Sequence, residues 1–264
     1  MSSLPPEILD LIIDHLHDEP TTLRACCVVS KSWIHRTRTH LFASVEFWAN
    51  KSSIERWKKT FPDPSHSPAH HTRTLFISDP PHVTAADADE SGWIHTFRNV
   101  VHLFLGFFDS EDPRVSLVPF HGLSPTLRSL YLANTSMDVL GLICSFPLLE
   151  DLELASPRHG SDTWNTPSTS PKLTGSLGLT PFEGIRPIVR RLMGLPNGLH
   201  FTKIMIAGIH EDDGSTTDLV LSCSDTLESF NFYCSALGPF PSASVSGRSL
   251  TVTRGYRHVR NASG

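Results

Sequence analysis

The chain has 264 residues, 39% of them hydrophobic and 19% charged, with a formal charge of −5 and a pI near 6.3. That apolar share supports a core, the acidic balance argues against a general nucleic-acid binder, which needs a basic footprint, and no apolar run approaches the 18 or so residues of a membrane span. Five cysteines without regular spacing (Cys26, Cys27, Cys144, Cys223, Cys234) read as reduced thiols, and the Pro-rich, acidic start lacks the pattern of a signal peptide, so a cytoplasmic and/or nuclear setting is expected.

The first signals are helical. Pro5 and Pro6 suit a first helical turn, where a missing N–H costs nothing, and Glu7 adds favourable negative charge there. Ile8, Leu9, Ile12, Ile13 and Leu16 form an apolar stripe at helical period, with Asp10, Asp14 and His17 off it. Pro20 breaks the run, and Thr21 or Thr22 is placed to cap a second helix whose buried side is expected from Leu23, Cys26, Cys27 and Val29. Trp33, Ile34 and Leu41 lie on a third segment rich in Arg36, Arg38 and His40. Three such helices bury too little surface to stand alone, so the rest of the chain or a partner must cover them.

The order Leu4-Pro5-Pro6-Glu7-Ile8, then Ile12 and Leu16, then Leu23, Cys26 and Val29-Ser30-Lys31-Ser32-Trp33, ending Leu41-Phe42, resembles an F-box over Leu4 to about Phe47. The resemblance implies docking on the Skp-type adaptor of a cullin-RING ubiquitin ligase, through Leu4, Pro5, Glu7, Ile8, Ile12, Leu16, Val29 and Trp33. It also implies that the chain performs no chemistry itself and holds a target protein for other subunits.

A linker follows over 48–71. Ser52-Ser53-Ile54-Glu55 reads as a capping box, with Ile54, Trp57 and Phe61 at helical spacing, and Pro62-Asp63-Pro64 as the stop. The stretch from Ser65 to His71 reads as a solvated loop. Its histidines (His66, His70, His71) lack the Cys or carboxylate partners of a credible metal site.

From residue 72 the unit apolar-x-x-apolar-x-apolar recurs. It runs Thr72/Leu75/Ile77, Val100/Leu103/Leu105, Leu127/Leu130/Leu132 and Leu149/Leu152/Leu154. A degenerate copy, Leu177/Leu179, precedes Phe201/Ile204/Ile206 and Leu227/Phe230/Phe232, and Leu250-x-Val252 reads as a last copy. The central positions from Leu75 to Phe230 step by about 26 residues, inside the leucine-rich-repeat window. Residues one apart on a strand share a face, and stacked copies make a parallel sheet over one continuous core. Between strands, Val139, Leu140, Ile143 and Phe146 form a helical face, as do Phe182, Ile185, Val189, Leu192 and Met193, with Pro187 a kink or late start. Asp218 to Asp225 reads as a short helix or turn. Polar insertions are expected at 79–91, 109–126 and 156–172.

This half resembles leucine-rich-repeat domains, and the whole resembles F-box proteins that carry them. It departs from the repeat pattern after each strand, where Asn134 and Cys234 come one residue early, and no clear cap follows Val252. The expected fold is therefore α/β: an F-box over 1–47, a linker over 48–71, an irregular solenoid with a parallel sheet over 72–253, and a polar tail over 254–264. On the outward face the central column reads Phe76, Phe104, Tyr131, Glu153, Gly178, Met205 and Asn231, beside the small residues Ser78, Gly106, Ala133, Ala155, Thr180 and Ala207. Phe76, Phe104, Tyr131, Glu153, Met205 and Asn231 are the candidate target-binding residues, the aromatic ones forming one strip.

No catalytic motif is present. His159-Gly160-Ser161-Asp162 joins catalytic residue types, but neighbours in a loop-like stretch seldom point at one another, and His210-Glu211-Asp212-Asp213 reads as a solvated turn. No metal or cofactor is expected. The competing reading is a non-catalytic repeat scaffold whose N-terminal helices only cap the solenoid.

Overall fold

The computed structural model describes residues 5–48, 51–78, 92–106, 120, 121, 123, 125–134, 139–155, 170–180, 186–207, 214–233, 244–246 and 249–251. The chain is α/β, its strands lie in the sheet in the order of the sequence, and it divides into two compact units at Leu130/Tyr131.

In the first unit, helices α1 (Pro6–His15), α2 (Pro20–Val29) and α3 (Lys31–Leu41) precede strand β1 (Ser44–Phe47). Pro6 opens α1 at its first position. The first run ends at His15, before Pro20, which opens α2 in the same way; Thr21 and Thr22, expected as caps, are inside the helix, and Thr22 donates its hydroxyl to Glu19 at 2.8 Å. Ser30 ends α2 and caps α3, accepting the Ser32 N–H at 3.3 Å. Ile13, Leu23 and Cys26 are buried where α3 packs against α1 and α2. Cys27 is half-buried and Val29 exposed, so the expected buried side of α2 narrows to Leu23 and Cys26.

Strand β1 is the main departure from expectation. The sheet begins here, inside the segment assigned to the F-box, and not at residue 72: β1 pairs in parallel with β2 (Thr74–Ser78), and β2 with β3 (His102–Gly106). Helix α4 (Lys51–Thr60) lies between β1 and β2 and starts at Lys51, so Ser52 stands within the helix and is no cap. Residues 64–71 form two 3-10 turns, Pro64–His66 and Pro68–His71, and bury Ser67, Pro68 and Ala69, which corrects the solvated-loop reading. The rings of Phe47, Trp57, Trp93 and Phe97 meet mostly edge to face at 5.3 to 6.1 Å and seal the space between β1, α4 and residues 92–97.

The alternating leucines are inside. Leu75, Ile77, Leu103 and Leu105 are fully buried, each contributing about 1.5–3 kcal/mol as an upper estimate. A second repeat appears in the backbone. The carbonyl two residues before the first buried strand residue accepts two successive N–H groups from the next repeat. Ala43 accepts from Arg73 and Thr74, Arg73 from Val101 and His102, and Val101 from Arg128 and Ser129, all at 2.8 to 3.0 Å. Each strand start is thereby locked to the one before, which fixes the register that places side chains inward or outward.

Strand β4 (Ser129–Ala133) carries the chain across the division. In the second unit, α5 (Val139–Cys144), β5 (Asp151–Ala155), β6 (Leu173–Thr180), α6 (Arg186–Met193), β7 (Leu199–Ala207), α7 (Ser215–Ser222) and β8 (Ser229–Tyr233) follow, with β5 to β8 parallel neighbours. Val139, Leu140, Ile143 and Phe146 are buried as expected of their helical face. Helix α6 is described from Arg186; Val189 and Leu192 are buried as expected, Met193 is exposed, contrary to expectation, and Phe182 and Ile185 lie outside the described residues. In the degenerate copy, β6 pairs Gly175 with Phe201 and then Ser176 with Lys203, leaving Thr202 as an extra residue on β7. The expected last copy at Leu250 is also corrected: β9 (Ser244–Ser246) and β10 (Ser249–Thr251) run antiparallel, β9 against β8 and β10 against β9. Val252 and the 254–264 tail lie outside the described residues.

Candidate functional site

Two surfaces carry the residues singled out in the sequence. The first is the helical hairpin. Pro5 and Glu7 are exposed, and so are three apolar residues: Ile8 is 42%, Ile12 45% and Val29 67% accessible. Leu16 and Trp33 are half-buried, and Leu4 lies outside the described residues. Leu11 and Val28 are exposed too and were missed by sequence reasoning. Their signal was present: Leu11 follows Ile8 by one turn, and Val28 precedes Val29 at the end of α2. The α1 stripe is thus split. Ile13 turns inward, while Ile8, Leu11 and Ile12 stay in solvent.

The hairpin does not owe this exposure to a loose fold. Asp14 on α1 accepts from both Nε and Nη2 of Arg36 on α3, and its Oδ1 lies 2.7 Å from His40 Nε2. The hydrogen bonds from Arg36 and then His40 hold the Asp14 carboxyl down at about 2. The sequence placed Asp14 off the apolar stripe without identifying this clamp.

The second surface is the outward column of the strands. In the first unit, Glu46, Phe76 and Phe104 are registered across β1, β2 and β3, and the Phe76 and Phe104 rings lie 6.2 Å apart. The exposed Trp48 ring lies 4.9 Å from Phe76, and its indole N–H donates to Glu46 at 3.0 Å. Trp48 therefore extends the strip from the β1 side, a residue the sequence reading left in the linker. Ser78 and Gly106 beside the strip are buried.

In the second unit, Glu153, Gly178, Met205 and Asn231 are registered across β5 to β8. Met205 is 41% accessible; Glu153, Asn231 and Tyr131 are half-buried. Burial pushes the Glu153 carboxyl above the usual range, and burial followed by the Glu153 charge pushes the Tyr131 hydroxyl up. The 109–126 insertion lies largely outside the described residues, as do the His159–Asp162 and His210–Asp213 sequences.

Among the described residues no three His, Cys, Asp or Glu side chains are grouped to hold a metal ion, and no helix is long and apolar enough to cross a membrane. A cleft of about 330 Å³ in the first unit is walled by Trp57, Phe61 and Trp93, with Lys58 at its rim bonded to Glu55 at 3.1 Å. No family model, no curated protein and no solved structure matches the chain.

Proposed function

We propose that the chain is the substrate-recognition subunit of a cullin-RING ubiquitin ligase of the Skp–cullin–F-box type. The N-terminal helices bind the Skp-type adaptor, and the outward face of the irregular leucine-rich repeats binds a target protein. One observation carries this reading. A hairpin with its own buried residues and an ionic clamp still holds Ile8, Leu11, Ile12, Val28 and Val29 in solvent. Exposed apolar side chains of this size on a small helical domain are the ordinary mark of a binding surface.

A second reading, that the helices only cap a repeat scaffold, is favoured by a different observation. β1 pairs directly with β2, and α3 packs against the Pro68–His71 turn, so the helices do cover the first repeat. The capping reading explains the buried residues and leaves the exposed ones without a role. Co-purification of a Skp-type adaptor with the full chain separates the two: the ligase reading predicts a stoichiometric complex, the capping reading none.

A further inference from the structure

We infer that the cleft between Trp57, Phe61 and Trp93 is a docking site for a proline-rich segment of a partner protein, held in the extended polyproline conformation. The inference stands apart from the adaptor and target surfaces described above and rests on neither.

The aromatic walls are fixed by their packing. The Phe61 N–H donates to the Trp57 carbonyl at 2.9 Å, which keeps the two rings on one face, their centroids 4.8 Å apart. Trp57 meets Phe47 and Phe97 at 5.7 and 5.5 Å, and Trp93 meets the same two rings at 5.3 and 5.9 Å. Both indoles are only half-buried, so part of each ring is spent on the core and part lines the cleft. Walls held in this way need no reordering when a ligand enters. The volume of about 330 Å³ is at the low end of ligand clefts, enough for a few residues of a segment and too small for a folded surface.

The polar groups decide the occupant. The lining side chains are rich in donors and poor in acceptors. Neither the Trp57 nor the Trp93 indole N–H makes a hydrogen bond among the described residues. Ser67 is 2% exposed; its Oγ accepts the Ala69 N–H at 3.3 Å, and its own hydrogen has no acceptor among the described residues. The Lys58 ammonium donates to Glu55 at 3.1 Å and has further hydrogens to give. Thr96 spends its hydroxyl hydrogen on the Trp93 carbonyl at 2.6 Å. Among the described residues no carboxylate, amide or imidazole side chain lines the cleft. An occupant with N–H groups of its own would bury them unanswered, which is costly. A proline-rich segment has none: it brings bare carbonyls to the indole and hydroxyl donors, and pyrrolidine rings to the aromatic walls. Its polyproline conformation is formed in advance, so little entropy is lost on docking. Lys58 at the rim turns away a cationic side chain, the other common guest of aromatic walls.

The test is a titration of the full chain, isotope-labelled for nuclear magnetic resonance, with end-capped hexaproline, followed by the indole N–H signals. A capped Gly-Ser hexapeptide, with an N–H at every residue, is the companion. The inference predicts saturable binding of hexaproline, none of the companion, and movement of the Trp57 and Trp93 indole signals, assigned by their loss in Trp57→Phe and Trp93→Phe. Trp93→Phe keeps an aromatic wall and removes one donor, so it weakens binding about fivefold. Lys59→Gln, exposed on the same helix as Trp57 and outside the lining, leaves affinity unchanged. Should Trp93→Phe melt lower than wild type, the wild-type signals decide. Absence of binding, equal binding of the companion, movement confined to the other tryptophans, unchanged affinity in a stable Trp93→Phe, or an equal loss in Lys59→Gln overturns the inference.

Discussion

Arg36 on α3 holds Asp14 on α1 by both carboxylate oxygens, and with His40 of the same helix on Asp14 Oδ1 it ties the first helix of the chain to the third. Because the bonds favour the ionised form, the folded-state carboxyl titrates at about 2, below its ordinary 3.8. The clamp therefore stabilises fully above pH 3.8 and is lost as pH falls towards 2. Arg36→Met is expected to cost about 1 kcal/mol at neutral pH, since the pair is partly exposed, and to flatten the acid limb of melting temperature against pH below 4. An unchanged acid limb would show that the clamp does not contribute to stability.

A second pH-dependent contact acts in a different window. His71 lies against the 3-10 turn's own His70 at 3.9 Å, His35 of α3 at 5.2 Å and the Thr39 hydroxyl at 3.4 Å. Burial first, then the charges of His70, His35 and Arg38, depress the imidazole to about 4. The folded state resists protonation, so its stability is complete above the ordinary value of 6.5 and declines as pH falls through the interval down to 4. Replacing His71 by Gln is expected to remove that slope; a variant that keeps the wild-type decline between pH 6.5 and 4 would assign it to other groups.

Gly175 is held by geometry at the irregular step of β6. Its φ is +79°, and a Cβ would lie 2.1 Å from the Glu150 carbonyl oxygen, the acceptor of the Ser176 N–H at 2.7 Å. Any side chain must push apart the backbone that locks β6 to β5. Gly175→Ala should therefore destabilise the second unit by well over 1 kcal/mol, whereas Gly198→Ala, also at positive φ but with open space around it, should cost less. Chemical denaturation of both variants makes the comparison, and equal losses would mean that the close approach carries no cost.

Thr72 occupies the first apolar place of its repeat, where Val100 and Leu127 stand in the next two. It is fully buried, and its hydroxyl has no hydrogen-bond partner among the described residues. Thr72→Val keeps the shape and removes the unpaired group, so a gain of about 1 kcal/mol in unfolding free energy is expected. A loss would show that the hydroxyl has a partner in solution.

The alternation of Leu75/Ile77, Leu103/Leu105 and Leu152/Leu154 made the inward face legible, because inward residues must be apolar and a strand repeats every second residue. β1 escaped notice although Phe42-Ala43-Ser44-Val45-Glu46-Phe47 carries the same unit. It follows directly on the helices, and its step to the next copy, from Val45 to Leu75, is longer than any between the later copies, so no even interval marked it. The C-terminal reversal left one local sign, the Gly247-Arg248 pair between β9 and β10, a two-residue hairpin pattern. At the candidate sites, the outward column could be numbered once the inward one was known. The Asp14 clamp and the cleft between Trp57 and Trp93 could not, since both depend on elements brought together from different parts of the sequence. Leu11 and Val28 were hidden by a simpler cause: periodicity locates an apolar stripe and does not say which half of it the neighbouring helix covers.

The exposed hairpin is proposed to dock a Skp-type adaptor. Calorimetric titration of the adaptor into the full chain, wild type against Ile8→Ala with Val29→Ala, addresses this directly. Both side chains are in solvent, so the double variant should keep its melting temperature. Docking through the hairpin predicts a tight wild-type complex and an affinity lower by tenfold or more, about 1.4 kcal/mol, in the variant. No wild-type binding, or equal affinity in the two proteins, would contradict it.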